Sequence, residues 1–343
     1  MAGGLKAAPT ETFCAPVEKL AIAVLGEITF LQRLRGPLSG VAPLFYAGLT
    51  VSSSMGASMR RGPQKVMWIA GGAGRAARAI ERQIDRERFV VITTDTELDV
   101  TDREAVQQYA SINRPDIVVN CAAMADEAAC AAHPVEAYRV NTLGARNLAA
   151  ASWAVGATMV QLSVDDVFAD GDGVRNEFDE LPSRDNPCAK SKIAGEQFVR
   201  TLNPRHVIVR SNWVYGAEPG SWLADLIMAA RTGTPFPVAE NWCSSPTSAT
   251  TLAACVIALI ESGECGVFHG ADQGVVSRAD FAREVLRLAG LPADCLRPTN
   301  DPADRRTVHL DDLMLTLTGV FPMPPWQDDL RTYLGAQGLL ASA

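Results

Sequence analysis

From Lys65 onward, short runs of β-branched and apolar residues alternate with longer stretches whose apolar positions recur every three or four residues. The runs Lys65–Ala70, Phe89–Thr93, Asp116–Ala123, Thr158–Ser163 and His206–Arg210 predict strands. Arg75–Arg86 predicts a helix with Ala76, Ala77 and Ile80 on one face, and Arg103–Ser111 a second, after Thr101 or Asp102 as N-cap. Pro134–Gly156 predicts one long helix, proline at its start and glycine at its end. Strands apolar on both faces, separated by helices, imply an α/β fold with a doubly wound parallel sheet. Beyond Tyr215 the rhythm loosens. Helices are expected at Trp222–Thr232, at Ser248–Ser262, from Ser277 (capping with Asp280) to Gly290, and at Trp326–Leu334, with a short strand at Gly266–Gly270. The expected division is a sheet domain over 65–212 and a smaller C-terminal lobe over 213–343, with segments near 247–270 as candidates to return to the sheet.

Residues 1–64 break the pattern. Gly36 to Met59 carries no charge, yet the apolar stretch Val41–Val51 contains Pro43 and Gly48 and is too short to span a bilayer. Glu11, Glu18 and Glu27 precede it, which is unlike a secretory or organelle leader. The expectation is a disordered extension, or a start assigned upstream of Met55 or Met59.

The net charge of −8 disfavours a surface that tracks nucleic-acid phosphates. The eight cysteines form no C-x-x-C pair and the four histidines are scattered, so neither a zinc site nor a disulfide scaffold is expected. A reduced, cytoplasmic protein without membrane attachment fits. Arginine outnumbers lysine 26 to 5, and two of the five lysines, Lys190 and Lys192, lie two residues apart.

Candidate chemistry begins after the first strand. Gly71-x-x-Gly74-x-x-Ala77 opens the first helix, where glycine lets the backbone approach a pyrophosphate and the helix N-terminus supplies N–H groups. This makes the sheet Rossmann-type and 65–212 a dinucleotide-binding domain. Asp95, 21 residues after Gly74, or Thr94 beside it, is placed for the adenosine ribose. Neither selects NADP or NAD.

These residues and others resemble the dTDP-4-dehydrorhamnose reductases, extended short-chain reductases acting on nucleotide sugars. The resemblance runs from about Val66 to Leu334. It is carried by the glycine turn, Glu97-Leu98-Asp99-Val100-Thr101-Asp102, Arg114-Pro115-Asp116, and Asn120 through Ala123. It continues through Val140-Asn141-x-x-Gly144, Leu148-Ala149, Ser163-x-Asp165-x-Val167-Phe168 and Ser191-Lys192-x-x-Gly195-Glu196. Arg210-x-x-Trp213-Val214-Tyr215-Gly216, Ser245-Pro246-Thr247 and Pro325-Trp326 complete it. The resemblance implies reduction of a 4-keto-6-deoxy nucleotide sugar by NADPH or NADH. It implies cofactor contacts at Gly71, Gly74, Arg75, Ala77, Thr94, Asp95, Asp99, Val100, Ala122, Ala123, Asn141 and Lys192. Substrate contacts fall at Asp165, Trp213 and Trp242, and a homodimer or a protein partner is an open expectation.

The departures lie on the substrate side. The family's proton-donating Tyr is Cys188 here, four residues before Lys192, and its carbonyl-polarising hydroxyl is Val164. Valine offers no hydrogen bond, and a cysteine is far shorter than a tyrosine. The family reaction is therefore expected to be weakened or lost; the alternatives are a regulatory subunit that binds the ligands without turnover, and an enzyme using Cys188 or Asp166 as acid–base. Cys188 reads as a space-filler before it reads as a nucleophile. Asp165 and Asp166, adjacent on an expected strand, should face opposite ways, one structural and one solvated.

Overall fold

The computed structural model describes residues 63–341 apart from 169, 170, 172, 182–184, 303 and 304. The expectations for residues 1–62 lie outside the described residues. Six parallel strands form the central sheet: β1 (Lys65–Ala70), β2 (Phe89–Thr94), β3 (Ile117–Asn120), β4 (Thr158–Val164), β5 (His206–Ser211) and β6 (Gly266–His269). Their order is β6-β5-β4-β3-β1-β2. The order reverses at β1, so the loops after β1 and β3 leave the sheet in opposite directions and open a crevice at its carboxyl edge.

Both faces of the sheet are covered, which is why its strands are apolar throughout. On one face Met67, Ile69, Val119 and Val209 pack with Ile80 of the helix Arg75–Gln83 and with Leu252, Val256 and Leu259 of the helix Ala249–Ser262. On the other, Trp68, Val118, Met159 and Ile208 pack with Val106, Leu148 and Val199. A separate core, with Leu223, Leu226, Phe281, Val285, Leu330 and Leu334, holds the C-terminal helices. The helix Ala249–Ser262 packs on the sheet, and β6 is its outermost strand, in register with β5.

The helix boundaries follow their caps. Asp102, not Thr101, closes the N-terminus of Arg103–Asn113 by accepting from Glu104 and Ala105 N–H. Ser248 and Ser277 cap Ala249–Ser262 and Arg278–Leu288. The expected long helix from Pro134 is not uniform. It runs as α-helix over Pro134–Tyr138, widens into a π turn over Arg139–Gly144, and resumes as α-helix over Ala145–Val155. The π turn holds the Asn141 carbonyl against Gly195 of the helix Pro187–Leu202, where a Cβ would stand 2.4 Å from that oxygen. No described helix is long and apolar enough to cross a membrane.

Candidate cofactor and substrate site

The glycine turn sits at the mouth of the crevice. Gly71 has φ +80, and a Cβ there would lie 2.5 Å from the Ala122 nitrogen, so β1 and β3 can approach only through glycine. Gly71 and Gly72 N–H both donate to the Thr94 carbonyl, at 2.8 and 2.9 Å. The helix that follows has Gly74 as N-cap and no side-chain cap. Asp102, Asn186, Ser221, Ser248 and Ser277 all spend a side-chain oxygen capping their helices. The first helix thus keeps its N-terminal amides for an anion, and the residues present fit the pyrophosphate of a dinucleotide. Ala77 is buried against the sheet.

Around this turn the other expected cofactor residues divide by what already holds them. The Thr94 hydroxyl is buried and accepts from Trp68 Nε1 at 2.9 Å, whereas Asp95 is half-exposed. Asp99 folds its own turn by accepting from Thr101 N–H, and buried Val100 packs on Gly144. Ala122 is fixed by its N–H to Asn120 Oδ1, and Ala123 is exposed. Asn141 accepts from Met124 N–H and donates to the Met124 carbonyl and Ser191 Oγ, each at 2.9 Å. Arg75 donates to Glu218 and to the Val214 carbonyl, tying the turn to the C-terminal lobe.

Lys192 and Cys188 lie on the first turns of Pro187–Leu202, whose N-terminus Asn186 caps. Lys192 is buried, and burial pulls its ammonium below the usual lysine range. Cys188 is 2% exposed, and its thiol donates to the Met124 carbonyl at 3.4 Å. Burial, reinforced by the Cys130 thiol, pushes it up to about 12 against the pull of Lys192. A thiol in that state is a packing group.

Behind these residues a cavity of about 280 Å³ is lined by Val164, Asp165, Asp166, Asn212, Trp213, Trp242, Ser244, Arg278 and Arg306, among others. The expectation for the two aspartates is corrected here. Asp165–Val167 is a 3₁₀ turn, not a strand, so both carboxylates bury, and both meet one guanidinium, that of Arg306. Asp165 accepts from Arg306 Nη2 at 2.9 Å, and its carboxyl stands at about 6, raised by burial against the pull of Arg306. Arg306 also reaches Glu127 at 3.3 Å. Arg278 lies between two indoles, 4.3 Å from the Trp213 ring centroid and 3.8 Å from that of Trp242, while Arg306 lies 5.2 Å from Trp242. Sequence reasoning found Asp165, Trp213 and Trp242 but missed both arginines. A charge-bearing residue on a short strand, Arg306–Thr307, carries no periodic signal.

The RmlD substrate binding domain model matches residues 65–338. dTDP-4-dehydrorhamnose reductase of Mycobacterium tuberculosis H37Rv is 33% identical over 282 residues, covering 78% of this chain and 92% of that one. SpsK, a spore coat polysaccharide biosynthesis protein of Bacillus subtilis, is 29% identical, with 78% and 95% covered. The crystal structure of a dTDP-4-dehydrorhamnose reductase from Clostridium acetobutylicum superposes with a TM-score of 0.74 at 33% identity, covering 80% of this chain and 99% of that one. The Bacillus anthracis enzyme, solved in complex with NADP, gives 0.75 at 28% identity, covering 80% and 100%.

Proposed function

Since the chain belongs to the RmlD substrate-binding family, that of the dTDP-4-dehydrorhamnose reductases, we propose that it binds NADPH or NADH and a 4-keto-6-deoxy nucleotide sugar in the cytoplasm. In this reading it reduces the sugar's carbonyl by hydride transfer, at a rate lowered by the loss of the family's proton donor. The observation that carries it is the contrast between the two halves of the site. The glycine turn, the uncapped helix and buried Lys192 fit the cofactor, while in this reading Cys188 and Val164 take the places that the family resemblance gives to the proton donor and the polarising hydroxyl.

The bound cofactor supplies the hydride. The chain's own part is to hold the pyrophosphate on the amides after Gly74, to set Asp95 at the adenosine ribose and Lys192 at the nicotinamide ribose, and to seat the sugar against Asp165, Trp213 and Trp242. A second reading, ligand binding without turnover, draws support from Arg306, whose ion pairs with both aspartates already occupy part of the substrate cavity.

The test is a titration with NADPH and NADH followed by cofactor fluorescence, then an assay with dTDP-4-dehydro-6-deoxy-L-mannose. Slow but measurable oxidation of cofactor, dependent on the sugar, is expected. Cofactor binding with no turnover selects the second reading. No cofactor binding removes both.

A further inference from the structure

The first helix has a face that the site above does not use. Its Ala77 and Ile80 bury against the sheet, while Arg75, Arg78 and Arg82 line a separate cavity of about 370 Å³. Thr250 of the helix Ala249–Ser262 and Tyr333 of the helix Trp326–Ala336 contribute other walls. Spacings of three and four residues put the arginines on one side of the first helix, in a row about 10 Å long. Like charges at these spacings repel. Yet in a chain of net charge −8, the described residues lining the cavity include one carboxylate, Glu218, for the three guanidiniums.

Arg75 is committed. It donates to Glu218 and, at 2.7 Å, to the Val214 carbonyl. Burial pushes the Glu218 carboxyl up, but that hydrogen bond and the charges of Arg75 and Arg78 outweigh it and hold Glu218 below the usual carboxylate range. Arg78 and Arg82 are exposed, and among the described residues neither side chain has a hydrogen bond or an ion pair. Both still turn to the cavity, because the charge of Arg78 is felt at Glu218 and that of Arg82 at Tyr333. The Tyr333 hydroxyl accepts from Ala217 N–H at 2.8 Å and keeps its own proton to donate. The Gln83 amide donates to the Thr250 carbonyl at 2.9 Å, which ties the first helix to Ala249–Ser262.

We infer that this cavity binds an anion of two or more linked phosphates, at a site separate from the amides that follow Gly74. Guanidinium forks match phosphate oxygens, two N–H groups at a time. A single phosphate meets two neighbouring guanidiniums of such a row, and reaching from Arg75 to Arg82 takes linked phosphates. Three guanidiniums against one carboxylate leave two positive charges, which one diphosphate neutralises. Arg78 and Arg82 supply the N–H groups that the chain itself leaves unused, and the Tyr333 hydroxyl adds a neutral donor.

The test is isothermal titration calorimetry of wild type and Arg78→Gln/Arg82→Gln with inorganic pyrophosphate, orthophosphate and ADP, at equal ionic strength and without divalent cations. Wild type should bind pyrophosphate at least about tenfold more tightly than orthophosphate, and the double variant should lose at least about tenfold in pyrophosphate affinity. Its urea midpoint should stay close to that of wild type, because the change removes no contact within the chain. Where the double variant does not fold, Arg78→Gln and Arg82→Gln are read singly, each weakening pyrophosphate binding at least about threefold. ADP affinity that falls with the variant supports the site and marks a nucleotide's diphosphate as its ligand. ADP affinity that holds while pyrophosphate affinity falls supports the site for free pyrophosphate and places ADP in the dinucleotide crevice. A wild type that does not bind pyrophosphate, equal affinity for orthophosphate, or pyrophosphate binding that the folded variant leaves unchanged overturns the assignment.

Discussion

The Cys188 thiol donates to the carbonyl oxygen of Met124 at 3.4 Å, in a pocket it shares with Cys130, Ala137 and Met124. That contact decides between the two meanings a cysteine could have at this position. Thiolate is the reactive form, and burial holds Cys188 up to about 12. At pH 7.5, iodoacetamide should therefore label exposed Cys265 well before Cys188. Peptide mass spectrometry over a labelling time course measures the order, and early alkylation of Cys188 in folded protein would refute the packing role.

Introducing the hydroxyl and the tyrosine that the family resemblance implies at 164 and 188 tests the proposed reading of those positions. Val164→Thr/Cys188→Tyr should raise kcat for the keto sugar by about 10²–10⁴, the usual worth of a positioned general acid. The tyrosine must find room beside Met124 and Cys130, so Cys188→Tyr should also lower stability by about 1–3 kcal/mol. Cys130→Ala in the same chain should recover part of that loss. Steady-state kinetics and urea unfolding of the same variants read the two effects separately.

Glu196 and Arg210 form a buried ion pair between the helix Pro187–Leu202 and β5, with Arg210 Nη2 2.7 Å from Glu196 Oε2. His269, the next polar neighbour, cannot share the charge; burial, with the push of Arg210, takes it down to about 3 and leaves it neutral. Glu196→Ala strands a guanidinium in the interior and should cost about 3–5 kcal/mol in urea unfolding. A change below about 1 kcal/mol would mean that Arg210 has another partner.

Asp272 makes stability depend on pH. Asp329 accepts from Tyr215 Oη, Ser248 N–H, Ser248 Oγ and Thr251 Oγ1. Asp272 beside it is fully buried, and burial with the Asp329 charge raises it to about 10. The native state therefore keeps a proton that the unfolded chain loses near pH 4, and stability should fall as pH rises between those values, by up to about 1.4 kcal/mol per unit. Asp272→Asn should flatten that slope and raise the urea midpoint at pH 8. An identical pH profile in the variant would show Asp272 to be ionised in the native protein.

Much of the fold was legible because it rests on local signals. The strands β1, β3, β4 and β5 announce themselves as apolar runs buried on both faces, and Asp102, Ser248 and Ser277 mark helix starts with the oxygen that caps them. The π turn at Arg139–Gly144 was not legible, because its cause is Gly195, more than fifty residues away. The substrate side was half legible. Asp165 carried a motif, but its partner Arg306 lies 141 residues downstream, and two adjacent carboxylates turn to one cation only because the chain leaves β4 through a 3₁₀ turn.

The sequence alone determined the parallel sheet, the glycine turn that opens the first helix, and the presence of Cys188 and Val164 where the family resemblance implies a tyrosine and a hydroxyl. Those are properties of neighbouring residues, set by periodicity, spacing and side-chain chemistry. Tertiary structure decided what the replacements mean. Only packing buries the Cys188 thiol against Met124 and raises it out of reactivity, and only the approach of Arg306 to the turn after β4 puts a buried cation beside Val164, because burial and charge pairing depend on which distant segments the fold brings within a few ångströms.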